Sequence, residues 1–293
     1  MDKYYKNQFM FNETDIILAV YRALISYSTP NGIPVNLRPA HVVGTVQDDP
    51  FDCWVEEILK KRLSNRFEVF HAGQLTTPDL VLRDKETGYM IGVEIKKLIL
   101  EEKGKDPRGL TLDYNSCLPC GQALIKVGGE TEFIPCYYLF ALLSQDSERI
   151  ITLAILDGDF LNFKTELYIE AKHSNYTEYG HGPYGEGSVR HRKMYTYPNP
   201  LNTKLDFFYS HQVLVLKKRS LEKREEEMKY VKAQIIRADT ENNLFFYYLI
   251  DETTSIPANT PLVTLEDIFK ACKTRKPKER VPYMINIPKL DEA

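Results

Sequence analysis

The chain has 293 residues, 43% of them hydrophobic and 27% charged, the proportions of a globule with a real core, and its length fits one elaborated α/β domain over residues 1–293. No stretch approaches the ~18 consecutive apolar residues of a membrane span. The start MDKYYKNQFMFNETD lacks a secretory apolar run, and five scattered cysteines give no disulfide framework. These features predict a reduced, cytoplasmic protein with no membrane partner. A net charge of −3 excludes a uniformly basic nucleic-acid coat but leaves room for a local basic surface.

In chain order, TDIILAVYRALISY (14–27) predicts a helix, and the Pro-, Gly- and Asn-rich residues 28–45 predict a loop. A second helix is expected from Asp49-Pro50, since Asp is a good N-cap and Pro suits the first helical position. Its apolar Phe51, Trp54, Val55, Ile58 and Leu59 recur at 3–4 spacing, so one stripe faces a core. FEVFHAG (67–73), LVL (80–82) and MIGVEIKKLIL (90–100) predict three strands. Residues 101–131 look irregular, with a short element near 123–127. YYLFALL (137–143) and ITLAILDG (151–158) predict buried strands. Residues 174–203 form a long irregular stretch. QVLVL (212–216) is a further strand, and a charged helix is expected from Leu221 to about Lys232. NLFFYYLID (243–251) reads as a strand. Thr264-Leu-Glu-Asp267 resembles the capping-box start of a last helix.

The segment TPDLVLRDKETGYMIGVEIKKL carries the chemistry. With Lys85-Glu-Thr-Gly88 as a four-residue hairpin loop, Asp84 pairs with Tyr89 and Asp79 falls opposite Glu94. Side chains alternate along a strand, so Val93 and Ile95 point into the core while Asp79, Glu94 and Lys96 share the other face, roughly 5–7 Å apart. Two carboxylates hold a hard divalent cation such as Mg²⁺ through oxygen, and the backbone carbonyl of Ile95, between the two side chains, is a candidate further ligand. Such a cation stabilises charge on a phosphate and acidifies a bound water. A Lys beside that water orients it and offsets charge in the transition state. The same groups on a salt-bridged solvent face are the bland alternative, against which stands the strongly apolar strand around Lys96.

Pro78-Asp79, fourteen residues, then Glu94-Ile95-Lys96 resembles the PD-(D/E)xK nuclease superfamily. The match is clearest over about residues 50–100, and the strand order to 158 is compatible with it. The overall size and the long irregular C-terminal half resemble a Type II restriction endonuclease. The resemblance implies a three-layer α/β core with a central mixed β-sheet flanked by helices, over about 50–158, and a C-terminal recognition elaboration over about 174–250. It implies that Asp79 and Glu94 bind Mg²⁺, with Mn²⁺ able to substitute, and that Lys96 assists the nucleophilic water. Many relatives carry a further acid on the first core helix. Asp52 aligns best there, although Glu is usual, and Glu56 is the fallback. The plain alternative for Asp52 is an N-terminal acid complementing the helix dipole.

Other segments offer DNA contacts. Asp113-Tyr-Asn-Ser116 follows the catalytic strand, and Asn115 and Ser116 are small polar groups able to approach phosphates or base edges. The Cys117/Cys120 pair lacks the second ligand pair of structural zinc and reads as two neutral thiols. Between Ser188 and Arg219 seven Lys/Arg accompany one acid, Asp206, which leaves −9 for the rest of the chain. Within that stretch Arg190, His191, Arg192, Lys193, Tyr195 and Asn199 form the candidate recognition loop, because Arg and Lys read guanine and Asn reads adenine in the major groove. The alternative is a solvated basic loop or dimer arm. The expectation is therefore Mg²⁺-dependent, sequence-specific hydrolysis of double-stranded DNA by a homodimer. The alternatives are a structure-specific repair or recombination nuclease on the same core, and a catalytically inactive DNA-binding protein.

Overall fold

A computed structural model describes residues 3–43, 46–72, 76–100, 111–113, 121–162, 192–195, 200–201, 203, 205–238, 243–254, 261–265, 273–274 and 283–290. The first helix, α1, spans Lys3–Ile25, and α2 spans Pro50–Leu63. As the Asp-Pro pair predicts, Asp49 caps α2: its side chain accepts the Phe51 N–H at 2.9 Å. Phe51, Trp54, Val55 and Leu59 are buried along one stripe, with the Phe51 and Trp54 rings stacked at 5.8 Å.

Nine strands make the main path of the sheet: β1 (Phe67–His71), β2 (Leu80–Asp84), β3 (Met90–Ile99), β4 (Glu130–Leu143), β5 (Arg149–Asp157), β6 (Gln212–Lys217), β7 (Val231–Ala238), β8 (Leu244–Ile250) and β9 (Val263–Leu265). They run in the spatial order β9-β7-β8-β6-β5-β4-β3-β2-β1. The pairs β3–β4, β5–β6 and β7–β9 are parallel and the others antiparallel. The protein is thus a mixed α/β fold on a central mixed sheet. The sheet's centre reads as continuous apolar runs because both of its faces are covered.

The two faces are covered differently. One packs under α1 and α2, where Ile17, Tyr21, Leu24, Phe51 and Val55 meet Leu80, Val93, Ile95, Leu139 and Leu214. The other is covered by the strand Gln122–Val127, the short helix α3 (Gly158–Asn162), Leu201 and residues 205–209, with Ile125, Phe160, Leu201 and Phe208 fully or nearly fully buried. Burying each such side chain contributes roughly 1.5–3 kcal/mol. No helix among the described residues is long and apolar enough to cross a membrane.

One expected helix is corrected, and so is the cap proposed for another. In place of a charged helix over 221–232 there is one turn at Glu225–Met228, followed by β7 from Val231. The charged residues favour helix locally, but Ala233 and Ile235 alternate into the core and β8 supplies the ladder. Thr264, read as the cap of a last helix, lies inside β9; residues 266–272, where that helix was placed, lie outside the described residues.

Candidate active site

β2 and β3 pair antiparallel, with Leu80 opposite Val93 and Arg83 opposite Met90. This is the register that the Lys85–Gly88 loop predicts. The Asp84 N–H donates to the Tyr89 carbonyl at 2.9 Å and the Gly88 N–H to the Asp84 carbonyl at 2.8 Å. Gly88 closes the loop at a φ of +70°, the left-handed region where a Cβ is disfavoured. One step further along the register, Asp79 stands across from Glu94. Val93 and Ile95 enter the core beneath the helices, so Asp79, Glu94 and Lys96 share the opposite face by alternation.

Asp79 leaves the ladder with its side chain turned to β3. Its Oδ2 accepts the Ile95 N–H at 2.6 Å, and its carbonyl accepts the Ala72 N–H at 2.8 Å. In an antiparallel ladder the N–H and C=O of one residue project to the same edge, so the Ile95 carbonyl faces the edge where Asp79 stands. Pro78 lies flat on β3 because residue 92 is glycine: a Cβ there would stand 2.7 Å from Pro78 Cγ.

Glu94 is buried. Its Oε1 accepts the Lys96 ammonium, and its Oε2 is buried with no hydrogen-bond partner, an arrangement that is costly unless another group meets it. Burial and then the Glu94 charge hold the Asp79 carboxyl well above the ordinary carboxylate range, against Lys96 and the Ile95 N–H. Burial and then the Asp49 charge push Asp52 up to about 7, with Lys97 and Lys96 opposing and Glu94 adding. The charges of Asp52, Asp79 and Glu94 therefore act on one another. Glu56, the fallback, does not join them: its two oxygens are taken by Lys60 Nζ at 2.7 Å and His71 Nδ1 at 3.0 Å.

The residues fit a hard divalent cation. A partnerless buried carboxylate oxygen, a second carboxylate whose pKa burial and then its neighbour's charge raise, and a carbonyl on the same edge are oxygen donors that positive charge would relieve. Among the described residues no three His, Cys, Asp or Glu side chains gather into a ready ligand set; the donors here are two strand carboxylates with main chain beside them.

Sequence reasoning missed Lys97. Its ammonium pairs with the capping Asp49 and lies 5.8 Å from the Phe51 ring centroid, so it ties α2 to the opposite face of the strand that carries Glu94. The Lys-Lys doublet was its signal. Of the expected DNA contacts, Asn115, Ser116, Arg190, His191 and Asn199 lie outside the described residues, as do Cys117 and Cys120. Arg192, Lys193 and Tyr195 lie in a strand, Arg192–Tyr195, that pairs antiparallel with Thr111–Asp113 and with Lys273–Thr274. The backbone therefore joins the two stretches singled out for DNA contact, since Asn115 follows the second closely.

No family model and no curated protein matches the chain. Among solved structures, a crystal structure of the restriction endonuclease BglI bound to its DNA recognition sequence is similar at 16% identity and a TM-score of 0.18. The overlap covers 46% of this chain and 61% of that one, so less than two thirds of that structure is spanned and the likeness is too shallow to argue from.

Proposed function

We infer that the chain is a divalent-metal-dependent endonuclease for double-stranded DNA, of the Type II restriction class, working as a homodimer. One observation carries this reading: Asp79 Oδ2 holds the Ile95 N–H beside Glu94, whose Oε1 pairs with Lys96 and whose Oε2 is buried and unpartnered. Asp79, Glu94 and the Ile95 carbonyl are the groups that would hold Mg²⁺ or Mn²⁺. Such a cation, when bound, stabilises charge on the phosphate and lowers the pKa of water. Lys96, braced by Glu94, holds the attacking water and places positive charge near the developing phosphorane. Asp52 adds negative charge that favours cation capture. The pairing of Arg192–Tyr195 with Thr111–Asp113 supports a recognition surface made jointly by those segments. A two-fold dimer suits a palindromic site and a cut on each strand.

Incubation with a sequenced phage genome in Mg²⁺, followed by mapping of fragment ends, tests the reading. A defined ladder with one shared end sequence is expected. Cutting confined to flaps, ends or mismatches would transfer the site to a structure-specific nuclease. Duplex binding with no cleavage in either Mg²⁺ or Mn²⁺ would leave an inactive DNA-binding protein. Asp79→Ala is expected to lower cleavage by roughly 10³-fold or more while Ca²⁺-supported duplex binding stays within a few-fold of wild type.

A further inference from the structure

Residues 283–290 are far from the candidate site in sequence but close to it in space. Tyr283–Met284 pairs parallel with Thr76–Thr77, with Met284 opposite Thr77, so the ladder ends one residue before Pro78 and two before Asp79. Asn286–Ile287 pairs parallel with the strand Gln122–Val127. The Lys126 N–H donates to the Ile285 carbonyl at 2.8 Å and the Gly128 N–H to the Ile287 carbonyl at 2.9 Å. Ile285 and Ile287 are buried in the core cluster that holds Val81, Met90 and Ile125. By alternation this is the sheet face that carries Asp79, Glu94 and Lys96. The strand Gln122–Val127 reaches the same spot: a Cβ at residue 92, 2.7 Å from Pro78 Cγ, would also stand 3.5 Å from Ala123 Cβ.

A buried charge fastens the other end of this segment. Arg83, in β2, is 2% exposed and lies on the face of Val81 and, by alternation, of Asp79. Its Nη1 donates to the Pro288 carbonyl and its Nε to Glu68 Oε2 at 2.6 Å, and its guanidinium lies 5.0 Å from the Phe70 ring centroid. Burial of Ile285 and Ile287 is enough to make the segment adhere. Replacing a buried ion pair by packed apolar side chains is often neutral or stabilising, so adhesion alone does not call for arginine at position 83. What the guanidinium adds is direction. It donates to one main-chain carbonyl at one place, and so fixes the segment's register along Thr76–Thr77.

We propose that Arg83 is a positioning residue of the metal site: by holding residues 283–290 in register against Thr76–Thr77, it sets where the Asp79 carboxylate stands beside Glu94. This rests on the nuclease reading, and its test reads metal binding rather than cleavage. Mn²⁺ binding is measured by electron paramagnetic resonance, well below each Tm, for wild type, Arg83→Met, Arg83→Lys, Ile285→Ala, Asp79→Ala and Leu24→Ala. The last is a core truncation in α1, on the far face of the sheet. Asp79→Ala marks the loss of the site. Arg83→Met is expected to raise the Mn²⁺ Kd by about 10-fold, and Arg83→Lys, which keeps a donor for the Pro288 carbonyl, to recover most of that loss. Leu24→Ala is expected to lower Tm and leave the Kd at its wild-type value. Ile285→Ala loosens the same segment with the guanidinium in place and is expected to raise the Kd as well, so it decides the matter if Arg83→Met fails to fold. A wild-type Kd in both Arg83→Met and Ile285→Ala overturns the proposal and leaves Arg83 a structural fastening. A rise matched by Leu24→Ala overturns it too, since general loosening would then account for the effect. If wild type binds Mn²⁺ and the variants follow the expected pattern but no DNA is cut, the nuclease reading fails and the role of Arg83 stands. If wild type binds no Mn²⁺, both fall.

Discussion

A methyl group at residue 92 would meet Pro78 Cγ at 2.7 Å and Pro78 Cβ at 3.2 Å. The pyrrolidine ring has no free rotor with which to retreat, so Gly92→Ala must move the Pro78–Asp79 backbone away from β3. The Ile95 N–H to Asp79 Oδ2 bond, 2.6 Å long, is the first contact to lengthen. Reacting groups displaced by a fraction of an ångström lose rate steeply. We therefore expect Gly92→Ala to lower single-turnover cleavage by roughly 10–100-fold while Tm falls by only a few degrees. Retention of wild-type rate would mean that Asp79 is held independently of Pro78. The same logic separates Lys96 from Lys97. Adjacent in sequence, they stand on opposite faces of one strand by alternation: Lys96 braces the orphan-bearing Glu94, and Lys97 braces the cap of α2.

At the scale of elements, α2 was legible because its signals are local. The Asp-Pro start and the apolar stripe can be read from fourteen consecutive residues, and the structure keeps both. Asp49 also ties the helix to the sheet through Lys97, which no local pattern reveals. Asp49→Ala should cost about 1 kcal/mol for the lost cap, a Tm lower by roughly 2–4 °C for a domain of this size. Because Lys97 is released as well, the loss in calorimetry should exceed that of Asp49→Asn, which keeps a capping oxygen. The β2–β3 hairpin was legible for the same reason, its register being set by a four-residue loop. β7 was not. Its inward positions are Ala233, Ile235 and Arg237, and the last is a buried cation that donates to the Phe160 carbonyl and lies 5.0 Å from the Phe160 ring centroid. A charged residue at an inward position hides the alternation, and the preceding run of Glu and Lys favours a helix. What decides the strand is β8, which follows in the chain, and tertiary pairing overrides local propensity.

On the scale of the whole molecule, the acids of the candidate site come from a hairpin and the helix before it, whereas the contacts that hold them come from afar. Local spacing pointed to Asp79, Glu94 and Lys96, and the family resemblance to Asp52. It could not expose the Pro78–Gly92 contact, the Glu56–His71 pair or the pairing of Arg192–Tyr195 with Thr111–Asp113, because each depends on where separate segments pack. Long-range ties also join the N-terminal helix to the C-terminal strands. Tyr21 donates to the Gln212 carbonyl at 2.7 Å and accepts the Glu252 N–H at 3.1 Å, and Arg22 pairs with Glu252 at 2.7 Å and with Glu227. Asp251 anchors this junction. Buried at the end of β8, it accepts the Thr253 N–H at 2.8 Å, the Thr253 hydroxyl at 2.6 Å and the Thr254 hydroxyl at 2.9 Å, with His211 Nδ1 at 3.1 Å. Burial alone would raise its carboxyl, but the bonds from His211, Thr253 and Thr254 outweigh it and hold the group below its ordinary 3.8. A depressed folded-state pKa means that the unfolded chain takes up the proton first. The Asp251 contribution is therefore complete above about pH 4–5 and lost as the pH falls through the lower folded value. Asp251→Asn removes the charge and should cost about 2 kcal/mol at pH 7, a Tm lower by roughly 4–8 °C. The gap between variant and wild type should then narrow steadily as thermal melts are repeated from pH 5 down to pH 3. A gap that stays constant over that range would show that the carboxylate charge at 251 adds nothing to the junction.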